Sequence, residues 1–382
     1  MTFVADAIAG ITVAIVALPL AIAFGISSGM GAEAGITTAI IAGFVAAVFG
    51  GSNYQVSGPT GAMVVVLAPL VATDGKAAVL FVGFGAGLIL IIASILKIGH
   101  HVHKLPTSLV EGFTAGIAVV IAMSQLPELS ESTAALVTGL VTALGIYLAA
   151  HFLPKLPTSL AAVIIVTVIN QFGLNLKTVG DLPTNLFNFD LGFFNQSNYL
   201  NLVIPIFSVA ALAALESLLS ARVADRMAAN GSEHNADKEL RGQGLANLAS
   251  TLFGGMPATA ALARTAVNVR SGAKTRAAAA IHAVVLAVVV LAFAPLFSQI
   301  PLAALAGVLV ATAAHMIKPS ELLKTAKASP LDAIVLVITL LATIFTNLTT
   351  AVIIGGIIWF ALRKTRLKTT EPPVDQDETL GD

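Results

Sequence analysis

Residues 56–61 read VSGPTG and interrupt an apolar chain shortly after the triplet FGG at residues 49–51. A related pattern recurs in the second half of the chain, where FGG at residues 253–255 is followed by MPAT at residues 256–259. Each apolar, Ala-rich run therefore ends in a Pro-containing break that leads into a short helical segment. Because Gly and Pro disfavour a helix interior, the two breaks predict two interrupted helices in corresponding places of an internal repeat.

The composition of the whole chain predicts a membrane protein. Hydrophobic residues make up 57% of the chain and charged residues 10%, whereas soluble domains carry about 25% charged residues. Apolar runs of about 20 residues recur throughout, and each can cross a hydrocarbon core of about 30 Å. Because backbone groups must be paired inside lipid, these continuous runs predict an all-α polytopic membrane protein rather than a β-barrel.

We interpret the apolar pattern as about fourteen transmembrane segments, both termini being cytoplasmic. With that orientation, most of the 20 Lys and Arg residues fall in inside loops, and the outside loops hold Lys76 and Lys177. Short cytoplasmic loops collect positive charge, so this distribution supports a multi-pass protein of the inner (plasma) membrane. The segments are approximately 6–28, 34–50, 60–73, 77–96, 108–126, 133–152, 158–172, 201–222, 239–253, 262–270, 276–296, 302–316, 330–348 and 351–363.

The segments divide into two halves of seven. Residues 1–172 form the first half and residues 201–364 the second, with an extracellular loop at 173–200 between them. Residues 365–382 are acidic and are typical of a disordered tail. Since seven is odd, the second half must be inverted relative to the first. Paired interrupted helices in two such halves are the strongest sequence indication of a transporter's binding site.

The two breaks are the predicted site. Irregular backbone at Gly58 and Pro59 is tolerated at membrane depth only where protein or water covers it. The helix that begins near Thr60 presents unpaired N–H groups and a positive dipole end, which suit an anion. The alternative is a Pro-kinked helix whose small residues allow close packing. After the second break, Arg264 is the basic residue placed within a segment, and such charges are usually functional. Its alternative is an arginine that snorkels or pairs with a carboxylate.

Two acidic residues are candidates for ion coupling. Glu216 interrupts an apolar run, and Glu33 begins the second segment. An acid inside the membrane can carry a proton near neutral pH, or it can hold Na⁺ together with backbone carbonyls. The alternatives are a structural partner of Arg264 for Glu216, and an acid that faces the membrane interface for Glu33.

Other classes of function lack their motifs. The chain has no Cys, which excludes disulfides and thiolate metal sites. It shows no basic stripe for nucleic acid, no Walker A pattern and no nucleophile–base set, so we expect neither an enzyme nor a bound cofactor. Three histidines, His100, His101 and His103, resemble a metal cluster, but a solvated loop beside lysines explains them better.

Several motifs together resemble one known family. The polar stretch HNADKELRGQGLAN at residues 234–247 carries Asn235 and Asp237 as candidate N-caps. With ESLLSA at residues 216–221, EGFTAG at residues 111–116 and IPLAALAG at residues 300–307, it resembles the SulP sulfate-permease family, called solute carrier 26 in animals. The resemblance covers essentially the whole chain.

The resemblance implies a seven-plus-seven inverted repeat in which a core domain moves against a gate domain in an elevator-like way. Two short broken helices meet at mid-membrane, and Glu216 lies beside the substrate. Family members carry sulfate, bicarbonate, chloride, oxalate or dicarboxylates, and commonly dimerise. The residues that the resemblance places around the substrate are Leu20, Gly58, Pro59, Thr60, Ala261, Leu262, Ala263, Arg264 and Thr265.

Three positions bear on the substrate and the coupling ion. Leu20 stands where many members have Gln, and Ala263 stands where a Ser is common, so two polar groups of a sulfate pocket are missing. Glu33 matches a position that is acidic in several bacterial members, which favours proton symport. Members also carry a cytoplasmic STAS domain, and this chain stops where the linker to it would begin, which indicates a truncated protein.

We therefore expect a secondary active transporter that couples a dicarboxylate, such as fumarate or succinate, to protons. The main alternative is a Na⁺-coupled bicarbonate or sulfate symporter. An anion channel or a nucleobase transporter on the same fold would be further alternatives. The expected partners are the anion, H⁺ or Na⁺, the lipid bilayer and, in the full-length protein, a second copy of the chain.

Overall fold

The computed structural model describes residues 2–100, 106–152, 157–180, 188–196, 198–231, 233–346, 354–359 and 361. The predicted tail at 365–382 and part of the predicted extracellular loop lie outside these residues. Two strands, β1 (Ser57–Gly58) and β2 (Thr259–Ala260), accompany the helices. The helices are α1 (Thr2–Ser27), α2 (Ala32–Phe49), α3 (Gly61–Ile95), α4 (Thr107–Ser124), α5 (Leu126–Leu129), α6 (Thr133–Phe152), α7 (Thr158–Asn170), α8 (Tyr199–Ala228), α9 (Ala236–Leu252), α10 (Leu262–Arg270), α11 (Ala277–Phe297), α12 (Leu302–Met316), α13 (Pro319–Ala328) and α14 (Pro330–Phe345).

The helices confirm the prediction of an all-α membrane protein. Within the described residues, 8 helical stretches are long and apolar enough to cross a membrane, and α7 and α14 are shorter apolar helices. α3 contains the non-helical residue Gly75 (φ 82°, ψ 176°), close to the predicted boundary between segments 60–73 and 77–96. α13 lies between two predicted segments and was not expected. The number of crossings, fourteen, stays a prediction.

Contacts between residues divide the chain into two compact units. One comprises Met1–His103 with Ile121–Ala314, and the other comprises Lys104–Val120 with His315–Asp382. Each unit draws on both predicted sequence halves. The halves at 1–172 and 201–364 stay a prediction, and the compact units are a different division of the chain.

The larger unit is held together by small residues. α9 packs against both α2 and α3, and α1 packs against α2 and α11. Between α2 and α9 the core consists of alanines, including Ala42 and Ala246. Because small side chains let helix backbones approach closely, this packing is typical of membrane helices.

The two breaks meet as an antiparallel pair of strands. In β1 and β2, Ser57 lies opposite Ala260 and Gly58 lies opposite Thr259. A further backbone hydrogen bond runs from the Ala261 N–H group to the Val56 carbonyl at 3.0 Å. α3 and α10 begin directly after these strands, so the starts of two helices are fixed side by side.

In the smaller unit, α14 starts with a capped turn. The Ser329 hydroxyl accepts a hydrogen bond from the Asp332 N–H group at 3.0 Å. The Asp332 carboxylate in turn accepts one from the Ser108 hydroxyl of α4 at 2.8 Å. This buried set joins α4 to α14, where Gly112 allows the backbone of α4 to approach Leu336.

Candidate functional site

Arg264 lies buried in the first turn of α10, with only 2% of its surface exposed. Its Nη2 atom donates a hydrogen bond to the Pro59 carbonyl at 2.8 Å, which links α10 to the first break. Its Nη1 atom has no hydrogen-bond partner among the described residues. Because a buried, unpaired guanidinium nitrogen is costly, Nη1 is the atom of this site that most requires an acceptor.

Gly58 allows the backbone to pass close to this guanidinium. It has φ +150°, a conformation that favours glycine. A Cβ atom at this position would lie 2.7 Å from Arg264 Nη1 and 3.3 Å from the Cα atom of Ala39 in α2. The first break and the arginine therefore fit together only without a side chain at residue 58.

Thr60 connects the start of α3 to Glu216. As the N-cap of α3, its hydroxyl oxygen accepts a hydrogen bond from the Met63 N–H group at 3.4 Å. The same hydroxyl donates to Glu216 Oε2 at 3.0 Å. Glu216 is partly exposed, and it is attracted electrostatically to Arg264. No ion pair joins the two within the described residues.

α10 begins without a cap. Its N-cap is Ala261, whose side chain makes no capping hydrogen bond, and the next two side chains, Leu262 and Ala263, are exposed. The first N–H groups of a helix have no partner inside the helix, and they form its positive dipole end. The exposed start of α10 therefore presents donors next to Arg264.

Thr265 belongs to the framework of the site. It is fully buried, and its hydroxyl oxygen accepts hydrogen bonds from the Val56 N–H group at 3.1 Å and from Ser220 at 3.2 Å. In the same way Thr259 is bonded to Ser217 at 2.9 Å. These bonds attach both breaks to α8, which also carries Glu216.

The other two predicted site residues lie on α1 and α2. Glu33 is partly exposed in the first turn of α2, where Lys76 is its nearby charge. It precedes Ala39, the residue against Gly58, by six positions, which is about 9 Å along a helix. Leu20 is buried in α1, and Phe24 one turn later contacts the start of α3 at Gly61. The structure therefore brings Glu216 near Arg264, whereas the charge near Glu33 is that of Lys76.

Two polar features were not assigned from the sequence. α9 places Glu239, Gln243 and Asn247 against the breaks, all of them buried. Their spacing of four residues is visible in the sequence, which predicts only candidate N-caps at Asn235 and Asp237. Asn235 is confirmed as the cap, since its side chain accepts from the Lys238 N–H group at 2.8 Å. Asp237 is not the cap, since it lies in the first turn of α9 and accepts from the Gly99 N–H group. His282 of α11 is also fully buried, and the charge of Arg264 acts on it.

The histidine cluster of the sequence gives no metal site in the described residues. His100 is paired with Asp237 at 3.1 Å, and His101 and His103 lie outside the described residues. Across the described ranges, no group of three or more His, Cys, Asp and Glu residues could hold a metal ion.

The sequence model of the sulfate permease family matches residues 3–134 and 128–339. The chain belongs to the sulfate permease family. One relative, the bicarbonate transporter BicA of Picosynechococcus sp., is 32% identical over 414 residues, which cover 99% of this chain and 72% of the relative. Another, named "Putative sulfate transporter YvdB", from Bacillus subtilis, is 35% identical over 388 residues, which cover 94% of this chain and 73% of the relative.

Solved structures of sulfate permease relatives have the same fold. The transmembrane domain of a cyanobacterium bicarbonate transporter BicA is similar with a TM-score of 0.84 and 32% identity, and 92% of this chain and 98% of that chain are covered. The murine solute carrier 26 family member A9 anion transporter has a TM-score of 0.81 over 95% of this chain and 68% of that chain, at 16% identity. The second likeness shows the fold alone.

Family membership establishes a multi-pass membrane anion transporter. The relatives of this chain are transporters and not enzymes, as the sequence predicted. They lend no support to the expected dicarboxylate, whereas the bicarbonate and sulfate alternatives agree with their names.

Proposed function

We propose that the chain is a secondary active symporter of a small oxyanion, bicarbonate before sulfate, that binds at the start of α10. The observation that carries this proposal is the buried Nη1 atom of Arg264, which has no partner within the described residues and lies beside an uncapped helix start. The protein would lie in the plasma membrane with both termini in the cytoplasm and would work by an elevator-like movement.

The chemistry of the site suits an oxyanion. A helix N-terminus offers several backbone N–H donors together with positive dipole, and a guanidinium adds a full charge with directed donors. Inside a membrane the surrounding dielectric is low, so these groups attract an anion more strongly than they would in water. An oxyanion would accept from Arg264 Nη1 and from the first N–H groups of α10 at the same time.

The charge around Arg264 favours a monovalent anion. One of its two terminal nitrogens is already bonded to Pro59, and the carboxylate of Glu216 offsets its charge. A dicarboxylate requires a second cationic group, and the flanking residues Ala261 and Ala263 contribute neither charge nor hydroxyl. The named relatives point the same way, so bicarbonate replaces fumarate as the expected substrate, and sulfate is second.

Glu216 is the group that we propose for coupling. When Glu216 binds H⁺ or Na⁺, its negative charge is offset, and the full charge of Arg264 becomes available to the anion. Cation and anion then favour each other's binding, and this coupling is reciprocal. Glu33 is a less favoured coupling residue because the charge near it is that of Lys76.

Uptake into proteoliposomes tests the proposal. Labelled bicarbonate, sulfate and fumarate would be offered at alkaline pH with an inward Na⁺ gradient, an inward H⁺ gradient or neither, and protein-free vesicles would correct for diffusion of CO₂. We expect saturable bicarbonate uptake that one of the cation gradients accelerates. Fumarate uptake that exceeds that of both inorganic anions would contradict the assignment of the substrate, and uptake without response to either gradient would contradict symport.

A further inference from the structure

We infer that one buried face of α9 holds the two breaks in register, and that its amides Gln243 and Asn247 thereby set the affinity of the site for its anion. Both are positioning residues, since they would act through the breaks and not by touching the anion. The inference rests on the proposed function, because it assumes that the anion binds between these breaks.

The first break is attached to α9 through two side chains. Glu239 is 2% exposed, and its Oε2 atom accepts hydrogen bonds from the N–H groups of Gly51 and Ser52 at 2.8 and 3.1 Å. Its Oε1 atom accepts from Gln243 Nε2 at 2.9 Å. The same nitrogen of Gln243 donates to the Ser57 hydroxyl at 2.6 Å. Gln243 thus holds β1 one residue before Gly58.

The second break is attached one turn further along the same helix. Asn247 bonds Ala258 in both directions, accepting from its N–H group at 2.9 Å and donating to its carbonyl at 3.0 Å. Ser250 donates from its hydroxyl to the Met256 carbonyl at 3.0 Å. Asn247 thus holds the chain one residue before β2.

The two attachments lie on one stripe of a single helix. Residues four positions apart in an α-helix are neighbours on its surface, so Glu239, Gln243 and Asn247 face the same way. A rigid helix that bonds both chains fixes how β1 and β2 pair. That pairing sets where Gly58 and the Pro59 carbonyl stand relative to Arg264, since Gly58 lies in β1 and Pro59 follows it directly.

Gln243→Met tests this role directly. Methionine has a similar volume but no donor, so β1 loses its bond to α9 while the packing is largely kept. Loss of this hydrogen bond to a buried hydroxyl should raise the half-saturation concentration for bicarbonate about tenfold. The maximal rate should stay within about twofold of the original. Asn247→Leu should act in the same direction through the second break.

Thr251→Val is the matched control. Thr251 is fully buried on α9, and its hydroxyl donates only to carbonyls of its own helix, those of Asn247 and Leu248. Its loss should lower the unfolding temperature as Gln243→Met does, and should leave the half-saturation concentration unchanged. If both variants lose stability equally and neither changes half-saturation, α9 is only a structural element and the inference is wrong.

Ser57→Ala removes the same hydrogen bond from the other side and leaves α9 intact. Its half-saturation should rise in the same direction as that of Gln243→Met, and the double variant should be no worse than Gln243→Met alone, since Gln243→Met already removes the bond to Ser57 together with the bond to Glu239. Additive effects, or an unchanged Ser57→Ala, would overturn the inference. A wild-type protein that takes up no anion would instead overturn the proposed function.

Discussion

The two breaks share a sequence pattern but have different chemistry at the helix that follows. At the first break the start of α3 is closed, because the Thr60 side chain caps it. At the second break the start of α10 is open, because Ala261 provides no cap and the next two side chains are exposed. A helix start without a protein cap still requires acceptors for its N–H groups.

This difference assigns separate tasks to the repeated elements. The capped break has a structural role. Its Pro59 carbonyl accepts a hydrogen bond from Arg264, and its Thr60 hydroxyl donates one to Glu216. In the proposed function, the uncapped break supplies the donors and the positive charge that bind the substrate. The repeat would therefore produce one anion site and one coupling carboxylate rather than two equal sites.

Removal of the guanidinium should have the largest effect. Arg264→Gln keeps a polar amide on a shorter side chain but loses the charge, and loss of a buried charged partner should lower anion uptake about a hundredfold or more. Initial rates in proteoliposomes would measure it, with size-exclusion chromatography to confirm folding. Arg270→Gln, at the exposed end of the same helix, is the control and should retain uptake. Equal uptake by both variants would refute the role of Arg264.

Gly58→Ala should have the next largest effect. The new methyl group would clash with Arg264 Nη1, and the alanine would have to adopt a backbone conformation that is unfavourable for it. Uptake should therefore fall about tenfold or more as the guanidinium is displaced. Gly75→Ala separates the two causes, since Gly75 also has a positive φ (+82°) but has nothing within 4 Å of its Cβ position. If Gly75→Ala reduces uptake as much, backbone strain and not Arg264 explains the result.

Glu216→Gln should remove the response to the cation gradient. The amide oxygen can still accept from Thr60, so the start of α3 is preserved, but no carboxylate remains to bind H⁺ or Na⁺. We expect anion uptake at a rate within about tenfold of the original that no longer rises with either gradient. Glu33→Gln is the comparison, and uptake by that variant should still be driven by the gradient. The reverse result would move coupling to Glu33.

A cap added to the open helix should have the smallest effect. Ala261→Ser supplies an oxygen to the first N–H groups of α10, which stabilises the helix by about 1 kcal/mol and competes with the anion for the same donors. Thermal unfolding should shift upward while the half-saturation concentration for bicarbonate rises a few-fold. A serine that raises stability without weakening anion binding would indicate that these donors do not bind substrate.

The sequence alone was sufficient to predict a membrane protein and to locate both breaks. Gly58, Pro59 and Arg264 stood out because each is unfavourable in a lipid-facing helix, and the structure brings them into contact with one another. Glu216 was recognised in the same way, as an acid inside an apolar run. Such signals depend on local composition, which a single sequence contains in full.

Contacts between distant parts of the chain could not be predicted from the sequence alone. The antiparallel pairing of β1 and β2 joins residues 57–58 to residues 259–260, and no local pattern predicts that contact. The sequence predicts only a capped helix start for α9, because the hydrogen-bond partners of its polar side chains lie in distant loops. Glu33 resembles a coupling residue by its position along the chain, and only the structure shows that the charge near it is that of Lys76.

Protection of a single cysteine would test the central claim that the anion binds at the open start of α10. The chain has no cysteine, so Ala263→Cys would introduce one thiol at an exposed position beside Arg264. The rate at which a thiol reagent modifies it would be measured at increasing bicarbonate. We predict that bicarbonate slows modification with a half-effect near the half-saturation of uptake, and that Arg264→Gln abolishes this protection. A modification rate unaffected by bicarbonate at concentrations that saturate uptake would contradict the assignment.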